Sequence, residues 1–216
     1  MADQSPPVFA DRQEAGRLLA GRLEQFRATD SVVLGLPRGG VPVAFEVALE
    51  LDLPLDVIVV RKIGAPSQPE FALGATAEGG VRSVDTGIAS RFGMTRGELA
   101  RLEEREHAEV AARVALFRGD APLDLTGTTA LVVDDGIATG ASARVACGVA
   151  RARGARRVVL AVPVAPGGFA AGDATADDLV TVLGPTDMWA VGRFYRDFTQ
   201  TPSSTVVDLL ARARQR

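Results

Sequence analysis

Short apolar runs alternate along the chain with longer stretches in which apolar residues recur every three or four positions. The short runs predict buried strands, and the longer stretches predict helices with one buried side. Alternation of this kind favours the α/β class, in which a mostly parallel sheet carries helices on both faces. Strands are predicted at residues 32–36, 55–60, 129–133, 157–164 and 179–183, and helices at residues 8–27, 41–51, 95–117, 141–153 and 204–214.

Two segments interrupt this alternation. Residues 64–80 contain Pro66, Pro69 and several glycines, which predicts a long mobile loop of functional interest with a short hairpin arm at residues 73–77 and 81–84. Residues 184–202 are irregular and rich in aromatic side chains. We therefore expect a single domain over residues 1–216, with a core of about residues 28–165 and a small hood or cap made from the N- and C-terminal segments.

Composition narrows the functional classes. The 216 residues are 47% hydrophobic and 24% charged, so a core forms without disulfides, and the net charge of -3 gives no electrostatic case for a nucleic-acid partner. One cysteine and one histidine exclude an internal disulfide and a multi-histidine metal site. No apolar run approaches the roughly 20 residues of a membrane helix, and the N-terminal segment lacks the apolar stretch of a signal peptide. We predict a cytoplasmic protein with no membrane partner.

Two adjacent acids, Asp134 and Asp135, follow the predicted strand at residues 129–133. Ligands of open α/β sheets bind beyond the carboxyl ends of the strands. Neighbouring carboxylates there repel each other unless cations or hydroxyls engage them, and a sugar diol does so. Residues 136–142 then offer backbone N–H groups and the hydroxyls of Thr139 and Ser142 at a helix N-terminus, which favours an anion. The order of these features predicts a ribose 5-phosphate site.

A second loop, residues 35–40, follows the first predicted strand and opens a helix. Gly39 and Gly40 would let backbone amides approach a pyrophosphate closely, and Arg38 can pair with its oxygens. Arg61 and Lys62 come at the end of the next predicted strand and add two cations. Each feature is weak alone, but their order along one chain predicts a pyrophosphate site next to the ribose site.

Residues 131–142, Leu-Val-Val-Asp-Asp-Gly-Ile-Ala-Thr-Gly-Ala-Ser, resemble the phosphoribosyl-pyrophosphate signature of the type I phosphoribosyltransferases. Residues 35–40 resemble the pyrophosphate loop of this family, which often contains a non-proline cis peptide. The Arg61-Lys62 pair resembles a basic pair of several members. The resemblance spans roughly residues 32–164 and extends through residues 64–80 and 189–198 to stand-alone bacterial phosphoribosyltransferases of unassigned substrate.

The resemblance implies transfer of 5-phosphoribosyl from phosphoribosyl pyrophosphate to a nitrogenous base or amine, with release of pyrophosphate. Asp134, Asp135 and Lys62 are the implied catalytic residues, and the two acids would also support Mg²⁺ through its waters. The segment at residues 64–80 would close over the site. The implied 5-phosphate ligands are Ile137, Ala138, Thr139, Gly140, Ala141 and Ser142, and the implied pyrophosphate ligands are Pro37, Arg38, Gly39, Gly40, Arg61 and Lys62.

The acceptor stays open at this point. Ala138 stands where members acting on hypoxanthine and guanine usually carry an aspartate, which disfavours the usual 6-oxopurine acceptor. Trp189, Phe194 and Tyr195 are candidates to stack on a base in the hood, but Trp189 and Phe194 fit equally well as packing under the last helix.

Other functions and an oligomer are also left open. The same pocket suits a non-catalytic regulator that binds phosphoribosyl pyrophosphate or a nucleotide, and the acids with magnesium suit a hydrolase of a phosphorylated sugar. The charged face of residues 96–106 is either solvent-exposed or an oligomer contact, which allows a homodimer.

Overall fold

The computed structural model describes residues 9–66 and 68–216, with only the backbone described for residues 68–72. The elements in chain order are α1 (Arg12–Gly21), β1 (Ser31–Gly35), α2 (Gly40–Leu51), β2 (Leu55–Val57), β3 (Val60–Ala65), β4 (Gln68–Ala77), β5 (Arg82–Val84), α3 (Thr86–Arg91), α4 (Arg96–Phe117), β6 (Thr129–Val133), α5 (Ala141–Ala152), β7 (Arg157–Val164), β8 (Asp178–Leu183) and α6 (Ser203–Arg214).

Five strands form one parallel sheet in the order β2-β1-β6-β7-β8. Because strand side chains alternate between the two faces, Val33 and Val133 enter one core cluster with α1, α2 and α6, whereas Leu34 and Val132 enter another with α5. The predicted α/β class is confirmed. β1 and β6 are neighbours, with Gly35 opposite Val133, so the two loops that follow them leave the same edge of the sheet side by side.

A second, antiparallel sheet of three strands, β3-β4-β5, forms an arm on the α5 side. The prediction of a mobile loop is wrong for residues 68–77, which form strand β4. Ala75 and Ala77 of this strand pack in the core cluster that contains α5. Residue 67 lies outside the described part of the chain. The predicted hairpin at residues 73–77 and 81–84 is part of this sheet, since β4 pairs with β5.

The predicted strand at residues 55–60 is also corrected. β2 ends at Val57, and β3 begins at Val60 in the other sheet. Ile58 and Val59 cross between the two sheets and are fully buried. An unbroken apolar run therefore conceals a change of sheet.

α1 begins at Arg12, later than predicted, and the side chain of Asp11 caps it by accepting the Glu14 N–H at 2.8 Å. It ends at Gly21 rather than at residue 27, and one 3-10 turn follows at residues 24–26. Leu23 and Phe26 remain buried in the same core cluster through this turn, so helical spacing of apolar residues did not reveal the break. The predicted start of this helix at residue 8 lies outside the described residues.

The charged face of α4 is not simply solvent-exposed. Glu106 is buried and forms a salt bridge with Arg61 of β3, and Glu103 forms one with Arg82 of β5. The helix therefore uses acidic residues to hold the arm, while a homodimer stays a prediction. No helix among the described residues is both long enough and apolar enough to cross a membrane.

The N-terminal and C-terminal segments, which we predict to form a hood, lie side by side. Phe9 donates its N–H to Phe194 O at 3.0 Å and accepts the Arg196 N–H at 2.9 Å. Phe9, Ala15 and Tyr195 form a small buried cluster. Tyr195 connects this cluster to the residues that follow β6, because its hydroxyl donates to Asp135 O.

Candidate functional site

Asp134 and Asp135 lie in the turn that follows β6, and the Asp135 N–H donates to Oδ1 of Asp134 at 2.9 Å. Burial raises the pKa of Asp134 well above its usual range, and the charge of Asp135 raises it further. Burial also raises the pKa of Asp135, and Arg12 opposes that rise. Two carboxyl groups this close repel each other when both are ionised, and hydroxyls or cations of a ligand would reduce that repulsion.

Arg12 of α1 is a site residue that sequence reasoning missed. Its Nε donates to Oδ2 of Asp135 at 2.9 Å, and its Nη2 lies 2.9 Å from the same oxygen. Its Nη1 donates to Thr199 O at 2.9 Å, and its guanidinium carbon lies 4.0 Å from the centroid of the Phe198 ring. No local motif surrounds Arg12, which is 123 positions away from Asp135, so only the fold reveals the pairing.

Gly39 and Gly40 touch the two acids from the β1 side. A Cβ on Gly39 would overlap Oδ2 of Asp135, and a Cβ on Gly40 would lie 3.0 Å from Oδ1 of Asp134. Glycine is therefore required by close approach at both positions. The Pro37–Arg38 peptide bond is cis, as expected for a loop of this kind. Among the described residues, no acid pairs with the half-buried Arg38.

The loop at residues 136–140 is held in place by side chains packed against its glycines and by one backbone hydrogen bond. A Cβ on Gly136 would lie 2.5 Å from Cγ1 of Val191, and a Cβ on Gly140, where φ is +76°, would lie 2.5 Å from Cε2 of Phe169. Ile137 is buried and donates its N–H to Val164 O at 2.9 Å. This corrects the role predicted for Ile137, whose side chain and N–H secure the loop and are not free for a phosphate.

The other predicted 5-phosphate ligands lie beyond this anchor. Ala138 and Thr139 are exposed, and Gly140 is the residue from which α5 starts. Ala141 and Ser142 are half-buried in the first turn of that helix. All five residues line one pocket of about 250 Å³, together with Lys62, both acids, Gly136, Ile137, Ala143, Val191 and Phe198.

Arg61 and Lys62 point in different directions, as neighbours on a strand do. Arg61 donates from Nε and Nη2 to Oε2 of Glu106, at 2.9 and 2.7 Å. Lys62 lines the pocket of the two acids. The prediction that both cations face a pyrophosphate is therefore corrected for Arg61.

A larger pocket of about 640 Å³ lies on the other side of Lys62, between the arm and α3–α4. Its lining includes Arg61, Phe92, Leu102 and Glu106. It lacks the acids and the phosphate loop, so we assign the candidate site to the smaller pocket.

Of the three aromatic residues predicted to contact a base, Tyr195 does something else. Its side chain is buried, its ring packs against Phe9 at 5.2 Å between centroids, and its hydroxyl donates to Asp135 O at 2.6 Å. Burial raises the pKa of Tyr195, so the hydroxyl stays protonated and keeps donating. Tyr195 thus braces the backbone of the second acid, which corrects its predicted role in contacting a base.

Phe194 is half-buried in the same cluster, whereas Trp189 is 82% exposed. Phe198, which belongs to the same aromatic segment, lines the pocket of the acids. Of the aromatic residues in this segment, the lining of the pocket includes Phe198, whereas contact of Trp189 with a base stays a prediction.

Comparison with known proteins agrees with this geometry. Residues 10–191 match the model of the phosphoribosyl transferase domain, so the chain belongs to that family. It is 50% identical over 210 residues to a Mycobacterium tuberculosis H37Rv protein provisionally named phosphoribosyl transferase Rv0571c, with 96% of this chain and 47% of that protein covered. The chain therefore spans about half the length of the curated relatives it matches.

Solved structures give the same fold. TT1426 from Thermus thermophilus is 42% identical with a TM-score of 0.74, and 94% of this chain and 98% of that one are covered. A Neisseria gonorrhoeae protein solved with ppGpp bound has a TM-score of 0.50 over 98% of this chain and 97% of its own, at 12% identity, which shows likeness of fold alone. The predicted family and the predicted type I fold are confirmed.

Proposed function

We propose that this protein transfers the 5-phosphoribosyl group of phosphoribosyl pyrophosphate to a nitrogenous base or amine and releases pyrophosphate. One observation carries the proposal. Asp134 and Asp135 lie between the Gly39-Gly40 loop, which touches both of them, and the 136–142 loop, with Lys62 in the same pocket. Membership of the phosphoribosyl transferase family supports it independently.

Each part of the pocket matches one part of that substrate. The acids would accept hydrogen bonds from the ribose hydroxyls, and residues 138–142 at the start of α5 would hold the 5-phosphate. Arg38 and Lys62 would balance the charge of the pyrophosphate. The reaction then relies on holding the substrate in place and on stabilising the charge of the leaving group.

Magnesium fits the same proposal as a partner of the substrate. The pocket lining contains two carboxylates, and the described residues contain no cluster of three or more acidic, histidine or cysteine side chains. Mg²⁺ prefers oxygen ligands and keeps several waters, so two acids and the substrate oxygens suffice to hold it. Asp134 and Asp135 would hold the ion, and when bound it would supply positive charge that stabilises the leaving pyrophosphate.

The acceptor is a small molecule that enters beside Ala138, Val191 and Phe198. Ala138 is exposed and carries no acid, so nothing at this position handles a purine ring proton, and the usual 6-oxopurine is disfavoured. Trp189, with its exposed ring, is the remaining candidate of the predicted aromatic residues to cover a base.

Pyrophosphate release tests this function. The protein is mixed with phosphoribosyl pyrophosphate, Mg²⁺ and a panel of bases and amines, with Asp135→Asn as the control. We expect release that depends on one acceptor class and is lost in the variant. Tight binding of phosphoribosyl pyrophosphate without release across the panel would instead identify a regulator, and phosphate release without an acceptor would identify a hydrolase.

A further inference from the structure

Each of the two acids has one oxygen that is already engaged within the protein. Oδ1 of Asp134 accepts the N–H of Asp135, and Oδ2 of Asp135 accepts from Arg12. Among residues 9–66 and 73–216, no hydrogen bond from another residue reaches Oδ2 of Asp134 or Oδ1 of Asp135. The pair therefore keeps one free acceptor oxygen on each acid.

We propose that Arg12 is a positioning residue that fixes Oδ2 of Asp135 and thereby presents Oδ1 to the ligand. One free oxygen from each of two adjacent acids matches two neighbouring hydroxyls on a ribose ring. The inference rests on the proposed function in so far as the ligand carries a ribose. It assigns a specific task to a residue of α1, which lies outside every motif of the sequence.

The surroundings of Arg12 hold its guanidinium in one orientation. The side chain is 11% exposed, Thr199 O accepts from Nη1, and the Phe198 ring lies beneath the guanidinium. On the opposite side, a Cβ at Gly39 would lie 3.1 Å from Nε. The guanidinium is thus confined between the glycine loop and the C-terminal segment, with its Nε and Nη2 directed at one oxygen.

Lysine cannot reproduce this arrangement. Its ammonium group is a single charged point, whereas the guanidinium is a planar fork that contacts the carboxylate and Thr199 at once. Arg12→Lys therefore keeps the charge and loses part of the geometry. Arg12→Gln loses both.

A double-mutant cycle tests whether Arg12 acts through Asp135. Affinities for ribose 5-phosphate and for phosphoribosyl pyrophosphate are measured by calorimetry for Arg12→Gln, Asp135→Asn and the double variant. We expect Arg12→Gln to weaken both affinities by ~10-fold or more. In the Asp135→Asn background the same change should have little further effect, because the residue through which Arg12 acts is already altered.

Two further variants separate positioning from general stability. Arg12→Lys should give intermediate affinity. Arg17→Gln, on the same helix at an exposed position 3.8 Å from Glu46, should leave affinity unchanged. In turnover, Arg12→Gln should raise the KM for phosphoribosyl pyrophosphate more than it lowers kcat, with the KM of the acceptor unchanged.

The outcomes of this experiment are distinguishable. An Arg12→Gln protein that binds both ligands as tightly as the wild type overturns the role of Arg12, as do fully additive effects in the double variant. If Arg12→Gln fails to fold, the affinities of Arg12→Lys for the same two ligands are used instead. Weaker binding than wild type supports the role of Arg12, and wild-type affinity overturns it. A wild type that binds ligand and never releases pyrophosphate refutes the transfer reaction and leaves the positioning role standing.

Discussion

Two of the clusters of arginine and acid in the described part of the chain are built differently. In the first, Arg118 at the end of α4 donates to Asp56 at 3.0 Å and to both oxygens of Glu78, at 2.5 and 3.1 Å. Arg118 also donates to Val57 O, and Glu78 accepts the Val59 N–H at 3.2 Å. The side chains of Arg118 and Glu78 are almost fully buried, at 3% and 5% exposure.

The second cluster, Arg12 with Asp135 and Asp134, lies at the pocket and keeps one oxygen of each acid free. The first cluster is closed, because its ionised groups satisfy one another, and it joins the crossover between β2 and β3 to the end of α4. The second is open, because two like charges lie side by side with a single arginine. Under the proposed function, arginine and acidic residues stabilise the fold where their charges are matched and bind a ligand where they are not.

The largest effect is expected from breaking the closed cluster. Arg118→Ala leaves Glu78 buried without its main partner, which should lower the free energy of unfolding by about 3–5 kcal/mol. Urea denaturation measures this. Affinity for phosphoribosyl pyrophosphate in the folded protein should change little. A combined Arg118→Met and Glu78→Gln variant, which removes both charges, should lose less stability; an equal or larger loss would contradict this account.

The open cluster should respond in the opposite way. Asp134→Asn and Asp135→Asn should each weaken binding of phosphoribosyl pyrophosphate by roughly 10- to 100-fold, since each removes a charged acceptor. Asp134→Asn should not lower the free energy of unfolding. The pKa of Asp134 is raised by burial, so its ionisation costs stability as the pH rises from its ordinary pKa of 3.8 through the higher folded value.

The stability of Asp134→Asn relative to the wild type should therefore increase with pH. Denaturation in metal-free buffer at acidic and at neutral pH checks the sign. A variant that loses stability relative to the wild type as the pH rises would show that the acid is stabilised by being charged, and that the second cluster is closed after all.

A smaller effect should follow from crowding the open cluster without changing its charge. The Cβ of Gly39→Ala would overlap Oδ2 of Asp135 and must displace it. We expect affinity for phosphoribosyl pyrophosphate to fall by roughly 10-fold, as a typical cost of overpacking. Gly168→Ala is the matched control, because nothing lies within 4 Å of its Cβ. Equal affinities for the two variants would place Asp135 outside the binding site.

The smallest effect concerns the rim of the closed cluster. Arg153 lies 3.9 Å from Glu78 and is 35% exposed. Arg153→Gln should lower the free energy of unfolding by less than about 1 kcal/mol, because the Arg153 guanidinium is partly exposed, lies at the limit of ion-pair distance and is screened by solvent. A loss comparable to that of Arg118→Ala would show that the cluster depends on both arginines.

The sequence predicts those parts of the fold and site that are local in the chain. Strands β6 and β7 agree with their predicted bounds, and the acids, the glycine loop and the phosphate loop each follow a strand. Apolar alternation and loop composition are sufficient for such features because neighbouring residues determine them.

The rest depends on contacts between distant residues. Arg12 and Tyr195 reach Asp135 from 123 and 60 positions away, so no spacing rule points to them. The change of sheet at Ile58 and Val59 is not visible in the sequence. Both residues are buried, so the apolar run continues through the crossover without interruption. The opposite directions of Arg61 and Lys62, by contrast, follow from strand alternation and were predictable once the strand was known to continue beyond Val60.

The position of Tyr195 has a consequence for how the protein is made. A ribosome that has released residues 1–142 has produced both loops and both acids, yet the phenol that holds the Asp135 backbone and the Thr199 carbonyl that orients Arg12 have not been synthesised. The candidate pocket therefore acquires its final form only after residue 199 has been synthesised. Phosphoribosyl pyrophosphate should accordingly protect the full chain against proteolysis and give no protection to nascent chains that stop before residue 195.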